Sequence, residues 1–115
     1  MKAIRYRFED QKEIAGASIV GTYLPVGGAS ASLLNPAVQW KLDNLTDADL
    51  QFSTDGVNDH FVMPAQSSWI NDISSNEPST TGLFLSKGDR LFVKQIEVPA
   101  NGKSVYFSIA YASED

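Results

Sequence analysis

Apolar and polar residues alternate in short runs along most of the chain, and this spacing of two residues is typical of β-strands rather than of helices. The clearest run is 105–111, where Val105 and Phe107 share one face with the other odd-numbered residues. Residues 4–8 also alternate, which predicts a strand with an apolar face that includes Phe8 and a cationic outer face. Further strands are predicted at residues 17–26, 38–42, 50–53, 61–63, 68–73, 83–85 and 91–98.

Turn-forming residues separate these runs. Asp55-Gly56 is the strongest hairpin signal and predicts that the strands on either side of it pair. Residues 44–49 are rich in side chains that bond their own backbone, which predicts a turn or one short helical turn. Pro64 ends the preceding strand, and residues 74–82 form the longest predicted loop. These signals predict an all-β single domain, an antiparallel β-sandwich or jelly-roll-like barrel of seven to nine short strands.

Length and composition limit the classes of protein to consider. The 115 residues allow one hydrophobic core but not two, and 43% hydrophobic with 20% charged residues is typical of a globular protein. The formal charge of -5 at pH 7 disfavours nucleic acid as a partner, and the absence of cysteine excludes disulfides, thiolate nucleophiles and sulfur-ligated zinc. Without an apolar signal or a membrane-spanning run, we expect a soluble protein made in a cytoplasm. Without a secretory route, the sequon Asn44-Leu45-Thr46 carries no weight as a glycosylation site.

Catalytic and metal-binding patterns are weak. His60, the only histidine, lies beside Asp59 and near Ser53, but neighbours on a strand point to opposite faces, so adjacency does not make a catalytic pair. Asp47-Ala48-Asp49 and the Asp55 turn are similar to fragments of a calcium loop, yet neither continues to the glutamate that an EF-hand requires. Asx turns are the alternative explanation for both. We therefore predict no catalytic residue, no metal site and no cofactor, and hence no enzyme.

The two tryptophans raise an alternative function. Trp40 shares its face with Val38 and Leu42, which favours a place in the core. Trp69 follows serines and precedes an isoleucine, a context compatible with either core or surface. An exposed Trp69 together with exposed tyrosines would be a platform for stacking sugar rings. The sequence thus leaves open a carbohydrate- or cell-surface-binding β-sandwich module.

Charge is unevenly distributed along the chain. Four of the nine Lys and Arg residues lie in the first twelve positions, whereas residues 43–86 contain seven acidic residues and no Lys or Arg. Unlike surfaces that pair head to tail between copies of a protein generate rings, and the alternative is a solvated charged surface with no partner. We therefore divide the chain into a basic amino-terminal arm or strand, residues 1–12, and a single β-sandwich domain, residues 13–115. The candidate protein-contact residues of the arm are Lys2, Arg5, Tyr6, Arg7 and Lys12.

Several short motifs occur in a defined order. They are Ile19-Val20-Gly21-Thr22-Tyr23, Pro36-Ala37-Val38, Asn44-Leu45-Thr46-Asp47-Ala48-Asp49-Leu50, Phe52-Ser53-Thr54-Asp55-Gly56, Asp59-His60, Pro64-Ala65, Ser75-Asn76, Gly102-Lys103-Ser104-Val105-Tyr106 and Tyr111. This pattern, from Ile19 to Ala112, resembles a family of small structural proteins of tailed-bacteriophage virions. Its most specific piece is the Asn-x-Thr-Asp-x-Asp-Leu turn followed by Ser-x-Asp-Gly. Since the motifs occupy turn and core positions, the resemblance implies no active site.

The resemblance implies a non-enzymatic component of a phage particle, made in the host cytoplasm and assembling as a homo-oligomer at the head–tail neck or collar or on the capsid. Its partners would be other copies and the portal, tail or major capsid protein, with no nucleic acid and no membrane. Residues 2–8 do not match the family pattern. We expect residues 1–12 to add a strand to the sheet of an adjacent copy or of another virion protein, because an open sheet edge accepts such a strand.

Overall fold

The computed structural model describes residues 4–35, 37–72 and 88–114. These residues form nine strands and two short 3₁₀ turns, Gly16–Ser18 and Gly28–Ser30, and contain no α-helix. Within the described ranges, no helix is long and apolar enough to cross a membrane. The strands are β1 (Ile4–Phe8), β2 (Lys12–Ala15), β3 (Leu24–Pro25), β4 (Gln39–Asn44), β5 (Leu50–Ser53), β6 (Phe61–Met63), β7 (Ser67–Asp72), β8 (Phe92–Gln95) and β9 (Ser104–Glu114).

The strands form two antiparallel sheets that pack as a β-sandwich, which confirms the predicted all-β fold. One sheet has five strands in the order β1-β9-β4-β7, with β2 also paired to β9. The other has four strands in the order β3-β8-β5-β6. The hairpin predicted at Asp55-Gly56 joins β5 to β6, and Gly56 takes the positive φ of 76° that this turn requires. As predicted, β6 ends directly before Pro64.

The core lies between the two sheets and follows the alternation of the sequence. Val105, Phe107 and Ile109 of β9 are fully buried, as the period of two predicts. Trp40 of β4 is also buried, which confirms its predicted place in the core. The other large, fully buried apolar side chains are Phe52, Leu33, Leu42, Leu50, Val26 and Val93.

A β-bulge separates β1 from β2, which follow each other along one side of β9. Phe8 lies opposite Ala110 and Lys12 opposite Phe107, so residues 9–11 face only two residues of β9. Because Ala110 points away from the face that carries Phe107, Phe8 lies on the outer side of the sheet and is 70% exposed. The predicted inward orientation of Phe8 is therefore wrong, since pairing with β9 determines which side it occupies.

Two predicted strands are shorter than their apolar runs. Residues 17–26 contain the end of a 3₁₀ turn and only two strand residues, because the Ile19 N–H bonds back to the Gly16 carbonyl at 3.1 Å. The run 91–98 becomes β8 alone, because the N–H groups of residues 96 and 97 turn toward the Asp49 carbonyl. The predicted strand 83–85, the loop 74–82 and Ile73 lie outside the described residues.

Candidate functional site

The Asn-x-Thr motif forms a buried hydrogen-bond network at one end of the sandwich. The Nδ2 of Asn44 donates to the carbonyls of Ala48, Met63 and Pro64 at 3.0, 3.3 and 3.1 Å. Its Oδ1 accepts bonds from the Thr46 N–H and hydroxyl at 3.1 and 2.6 Å. Because Asn44 is fully buried and its amide is fully used, a glycan cannot be attached there in the folded protein.

Neighbouring aspartates connect this turn to two other loops. The Asp47 carboxylate accepts a bond from the Ala100 N–H at 2.8 Å, and the Asp49 carboxylate accepts one from the Ala65 N–H at 2.9 Å. We call residues 44–49, together with the two loops they hold, the loop junction. These carboxylates accept backbone N–H groups of distant loops, 53 and 16 residues away along the chain, so their contacts are not the local Asx turns that the sequence suggested for Asp47 and Asp49. Within the described residues, no three His, Asp or Glu side chains form a group suited to a metal ion.

The Asp55 turn is held by hydrogen bonds to its own carboxylate. Asp55 Oδ1 accepts the N–H groups of Val57 and Asn58, both at 2.8 Å, and Oδ2 accepts the Asn58 side-chain amide at 2.8 Å. The Ser53 hydroxyl donates to the same carboxylate at 2.8 Å. The bonds from Asn58 and Val57 hold the pKa of the Asp55 carboxyl well below its usual range.

His60 is held by residues of this turn and contacts Thr54, not Ser53. Its Nδ1 accepts the Thr54 N–H at 3.0 Å, and its Nε2 lies 3.9 Å from Asp55 Oδ2. Ser53 is buried, and its hydroxyl is committed to the Asp55 turn. Within the described residues, no hydrogen bond joins Ser53 to His60; the hydroxyl near the imidazole is that of Thr54, 3.2 Å from the same Nδ1 that accepts the Thr54 N–H.

Asp59 binds residues from two other elements and not its sequence neighbour. The Tyr23 hydroxyl donates a short hydrogen bond to Asp59 Oδ1, and the Lys94 ammonium lies 3.1 Å from the same oxygen. Lys94 also lies over the Tyr23 ring, 4.7 Å from its centroid. Burial, followed by the bond to Asp59, raises the pKa of Tyr23, and the Tyr23 bond lowers the pKa of Asp59. The group thus joins β8 and the loop before β3 to the β5–β6 hairpin.

The bulge between β1 and β2 anchors a distant loop through a buried ion pair. Lys12 is only 6% exposed; its ammonium donates to the Ser30 carbonyl at 2.7 Å and lies 3.9 Å from Glu9 Oε1. The Glu9 carboxylate accepts the N–H groups of Leu34 and Asn35 at 3.1 and 2.9 Å. Lys12 therefore does not belong among the exposed contact residues of the arm, because the bulge turns it toward this loop.

The other predicted contact residues lie on β1 or before it. Arg7 is exposed and lies opposite Tyr111, while the backbones of Arg5 and Tyr6 pair with residues 113 and 112 of β9. Lys2 lies outside the described residues. The basic strand thus lies beside the end of β9 and belongs to the five-stranded sheet. Its contact with another copy stays a prediction.

Two surface grooves lie on either side of Phe8. The first, about 440 Å³, crosses the outer face of the five-stranded sheet from Phe8 to Ile70, which is 60% exposed. The second, about 700 Å³, lies between the bulge and the loop 27–35 and includes Leu34, which is 69% exposed. The amino-acid sequence does not predict these surfaces, because they form only when distant strands and loops come together. The one local signal for the bulge that separates the two grooves is the run of polar residues after Phe8, because a strand tolerates an extra residue at such a place.

Trp69 closes one side of the core. It is 40% exposed, and its ring meets Trp40 edge-on at 4.8 Å and Phe61 edge-on at 5.0 Å. Such edge-to-face contacts hold aromatic rings in place within a core. Trp69 is therefore partly committed to packing, which leaves less of its surface for a sugar ring than a free-standing platform would offer.

Comparison with known proteins adds no relative. No family model matches the chain, and no curated protein or solved structure matches it significantly. The function of the chain has to be argued from its motifs and its surfaces.

Proposed function

We propose that this chain is a non-enzymatic structural subunit of a tailed-phage particle, assembling as a homo-oligomer at the head–tail neck or on the capsid. The observation that carries the proposal is a contrast between two sets of residues: the polar motif residues bond within the fold, and several large apolar residues are exposed at the surface. The polar residues of the motifs hold loops together, whereas Phe8, Leu34 and Ile70 are large, apolar and exposed beside grooves. Exposed apolar surface of this kind is typical of protein–protein contacts.

The state of the ionisable groups favours a structural role over a catalytic one. Asp47, Asp49 and Asp55 accept bonds from backbone N–H groups, and Glu9 does the same in the bulge. A general acid or base needs a proton that it is able to exchange with a substrate within hydrogen-bond reach. Carboxylates already satisfied by the backbone contribute to a rigid scaffold, which suits a part used in many copies.

The edge position of β1 supports an extension of this proposal to the amino-terminal segment. Within the described residues, β1 pairs with β9 on one side and has no strand on the other. An open edge of this kind is able to pair with a strand of an adjacent copy or of the portal, tail or major capsid protein. Since Glu9 and Lys12 stabilise the monomer, the truncation that tests this idea removes residues 1–7 only.

The proposal is tested by mass and by particle composition. Sedimentation equilibrium of the purified chain is expected to show a defined oligomer, and virions of the phage that encodes it are expected to contain the chain. Removal of residues 1–7 is expected to prevent incorporation, while the fluorescence of the buried Trp40 shows that the rest of the sandwich stays folded without most of β1. A monomer retained on immobilised polysaccharide, and lost from it after Trp69→Ala, would instead favour the carbohydrate-binding module and overturn the proposal.

A further inference from the structure

We propose that the outer face of the five-stranded sheet is the surface through which two copies of this chain pack, sheet against sheet. We call it the outer sheet face and define it by Phe8, Gln39, Lys41, Asp43, Ile70 and Ser108. The inference rests on the proposed assembly into homo-oligomers and deepens it by naming the surface and its partner, a second copy of the same chain.

The strand register brings the anchors of this face onto one side of the sheet. Lys41 of β4 lies opposite Ile70 of β7 and opposite Ser108 of β9, and Phe8 lies on the neighbouring β1. Strands β1 and β7 are three positions apart, or about 14 Å at the usual spacing of strands. The groove of about 440 Å³ lies in this interval and is lined by residues of all four of these strands.

The apolar residues here differ from the scattered exposed residues elsewhere. The outer positions of a solvated antiparallel sheet are normally polar, so Phe8 and Ile70 depart from that pattern together and border one groove. Val57 and Val98 are also exposed in loops and Val62 on β6, but each is a single apolar residue, and exposure of single apolar residues is ordinary. Two large apolar anchors at opposite rims of one groove favour a specific contact.

Charge favours a second copy of the same chain over an unrelated partner. Lys41 and Asp43 project from the same face of β4, and their charged atoms are 3.6 Å apart. A two-fold axis that crosses β4 would bring Lys41 of each copy toward Asp43 of the other. Opposite charges two positions apart on one strand are therefore self-complementary, as an isologous interface requires.

The area of the face fits a weak dimer. About a dozen described side chains of the five strands point outward, and each covers about 32 Å² of a flat sheet at standard strand geometry. This gives roughly 400 Å² per copy, or about 800 Å² for a pair, which is below the 1,200–2,000 Å² of stable, specific interfaces and in the range of weak, transient ones. Two such sheets would pack about 10 Å apart.

The association constant of surface variants tests this inference. Phe8→Asp and Ile70→Asp each place a charge in the proposed contact, and Val57→Asp is the matched control on the β5–β6 hairpin. Sedimentation equilibrium is expected to show that each test variant weakens dimerisation by at least about 30-fold, the effect of losing one hot-spot residue. The control is expected to dimerise like the wild type. Tryptophan fluorescence verifies that each variant is folded.

A cross-link gives a second test that does not require a destabilising change. The chain has no cysteine, so Ser108→Cys places a single, nearly isosteric thiol in the middle of the outer sheet face. A bis-maleimide whose spacer exceeds the ~10 Å between packed sheets is expected to join two copies of this variant. Val57→Cys is expected to stay monomeric under the same treatment.

The outcomes separate this inference from the proposed function. A wild-type chain that is monomeric at all concentrations overturns both. A wild-type oligomer that is unaffected by Phe8→Asp and Ile70→Asp, and that cross-links through Val57→Cys but not through Ser108→Cys, overturns the outer sheet face alone. In that case the homo-oligomer stands and another surface joins its copies.

Discussion

Replacement of Asn44 by alanine tests whether the most specific motif of the chain is structural. Asn44 is fully buried and makes five hydrogen bonds, three within the turn 44–49 and two to the carbonyls of Met63 and Pro64 at the end of β6. The substitution removes the side-chain amide and leaves a small cavity. Because the interior is close-packed, neighbouring atoms fill this cavity only if the loops move. We expect a large loss in the free energy of unfolding.

The magnitude follows from which partners are left unsatisfied. The Thr46 N–H has no other described partner, and a buried, orphaned N–H costs about 1–3 kcal/mol. The carbonyls of Met63 and Pro64 each lose a donor, at about 0.5–1.5 kcal/mol for each bond. The Thr46 hydroxyl already lies 3.2 Å from the Ala48 carbonyl, so these two groups satisfy each other. The expected loss is therefore about 2–6 kcal/mol, a large share of the 5–15 kcal/mol typical of a domain.

Urea unfolding followed by tryptophan fluorescence measures this loss, because Trp40 is buried in the folded state. Asn58→Ala is the matched control: Asn58 is exposed, and its side chain makes one bond to Asp55, so a loss below about 1 kcal/mol is expected. If Asn44→Ala costs no more than Asn58→Ala, the network does not stabilise the fold and the reasoning about the motif is wrong.

Three further changes test other parts of the fold by the same urea measurement. A Cβ at Gly16 would lie 2.7 Å from a backbone oxygen, so Gly16→Ala is expected to cost about 1–3 kcal/mol, whereas Gly21→Ala, with nothing within 4 Å, should stay within about 0.5 kcal/mol of the wild type. Gln66 has a φ of 55°, so Gln66→Gly is expected to stabilise by up to about 1 kcal/mol, and a loss would contradict this. The lowered pKa values of Asp55 and Asp59 give stability that is complete above about pH 4 and is lost on acidification below it. Asp55→Asn should make the free energy of unfolding less dependent on pH in this range. If that pH dependence is unchanged, the Asp55 carboxylate does not contribute the stability assigned to it.

The parts of the fold that local signals control could be predicted from the sequence. Alternation in β4 and β9 gave the buried faces, because one side of each strand packs on the second sheet. Asp55-Gly56 gave the hairpin, since few residues other than glycine adopt its positive φ. Pro64 gave the end of β6, because proline cannot continue the ladder. Each of these features depends on residues a few positions apart.

Features that depend on the pairing of distant strands could not be predicted. The bulge at residues 9–11 exists only relative to β9. Pairing with Ala110 determines the exposure of Phe8, and the bulge that follows determines the burial of Lys12. In the sequence, Lys12 is indistinguishable from an exposed lysine, because its partner, the Ser30 carbonyl, is eighteen residues away. The outer sheet face was hidden for the same reason, since three strand pairings separate Phe8 from Ile70.

Stability and assembly are assigned to separate parts of this sandwich, and that separation is itself testable. Asn44 holds the loop junction from a fully buried position, whereas Ile70 is exposed on the outer sheet face and contributes little to the core. Effects at sites without shared partners are close to additive. Asn44→Ala is therefore expected to lower the free energy of unfolding while its folded fraction dimerises with the wild-type constant. Ile70→Asp is expected to weaken dimerisation while the free energy of unfolding of the monomer stays that of the wild type. A double variant should show both losses in full. A coupling of more than about 0.5 kcal/mol between them would mean that the loop junction shapes the contact surface as well as the fold.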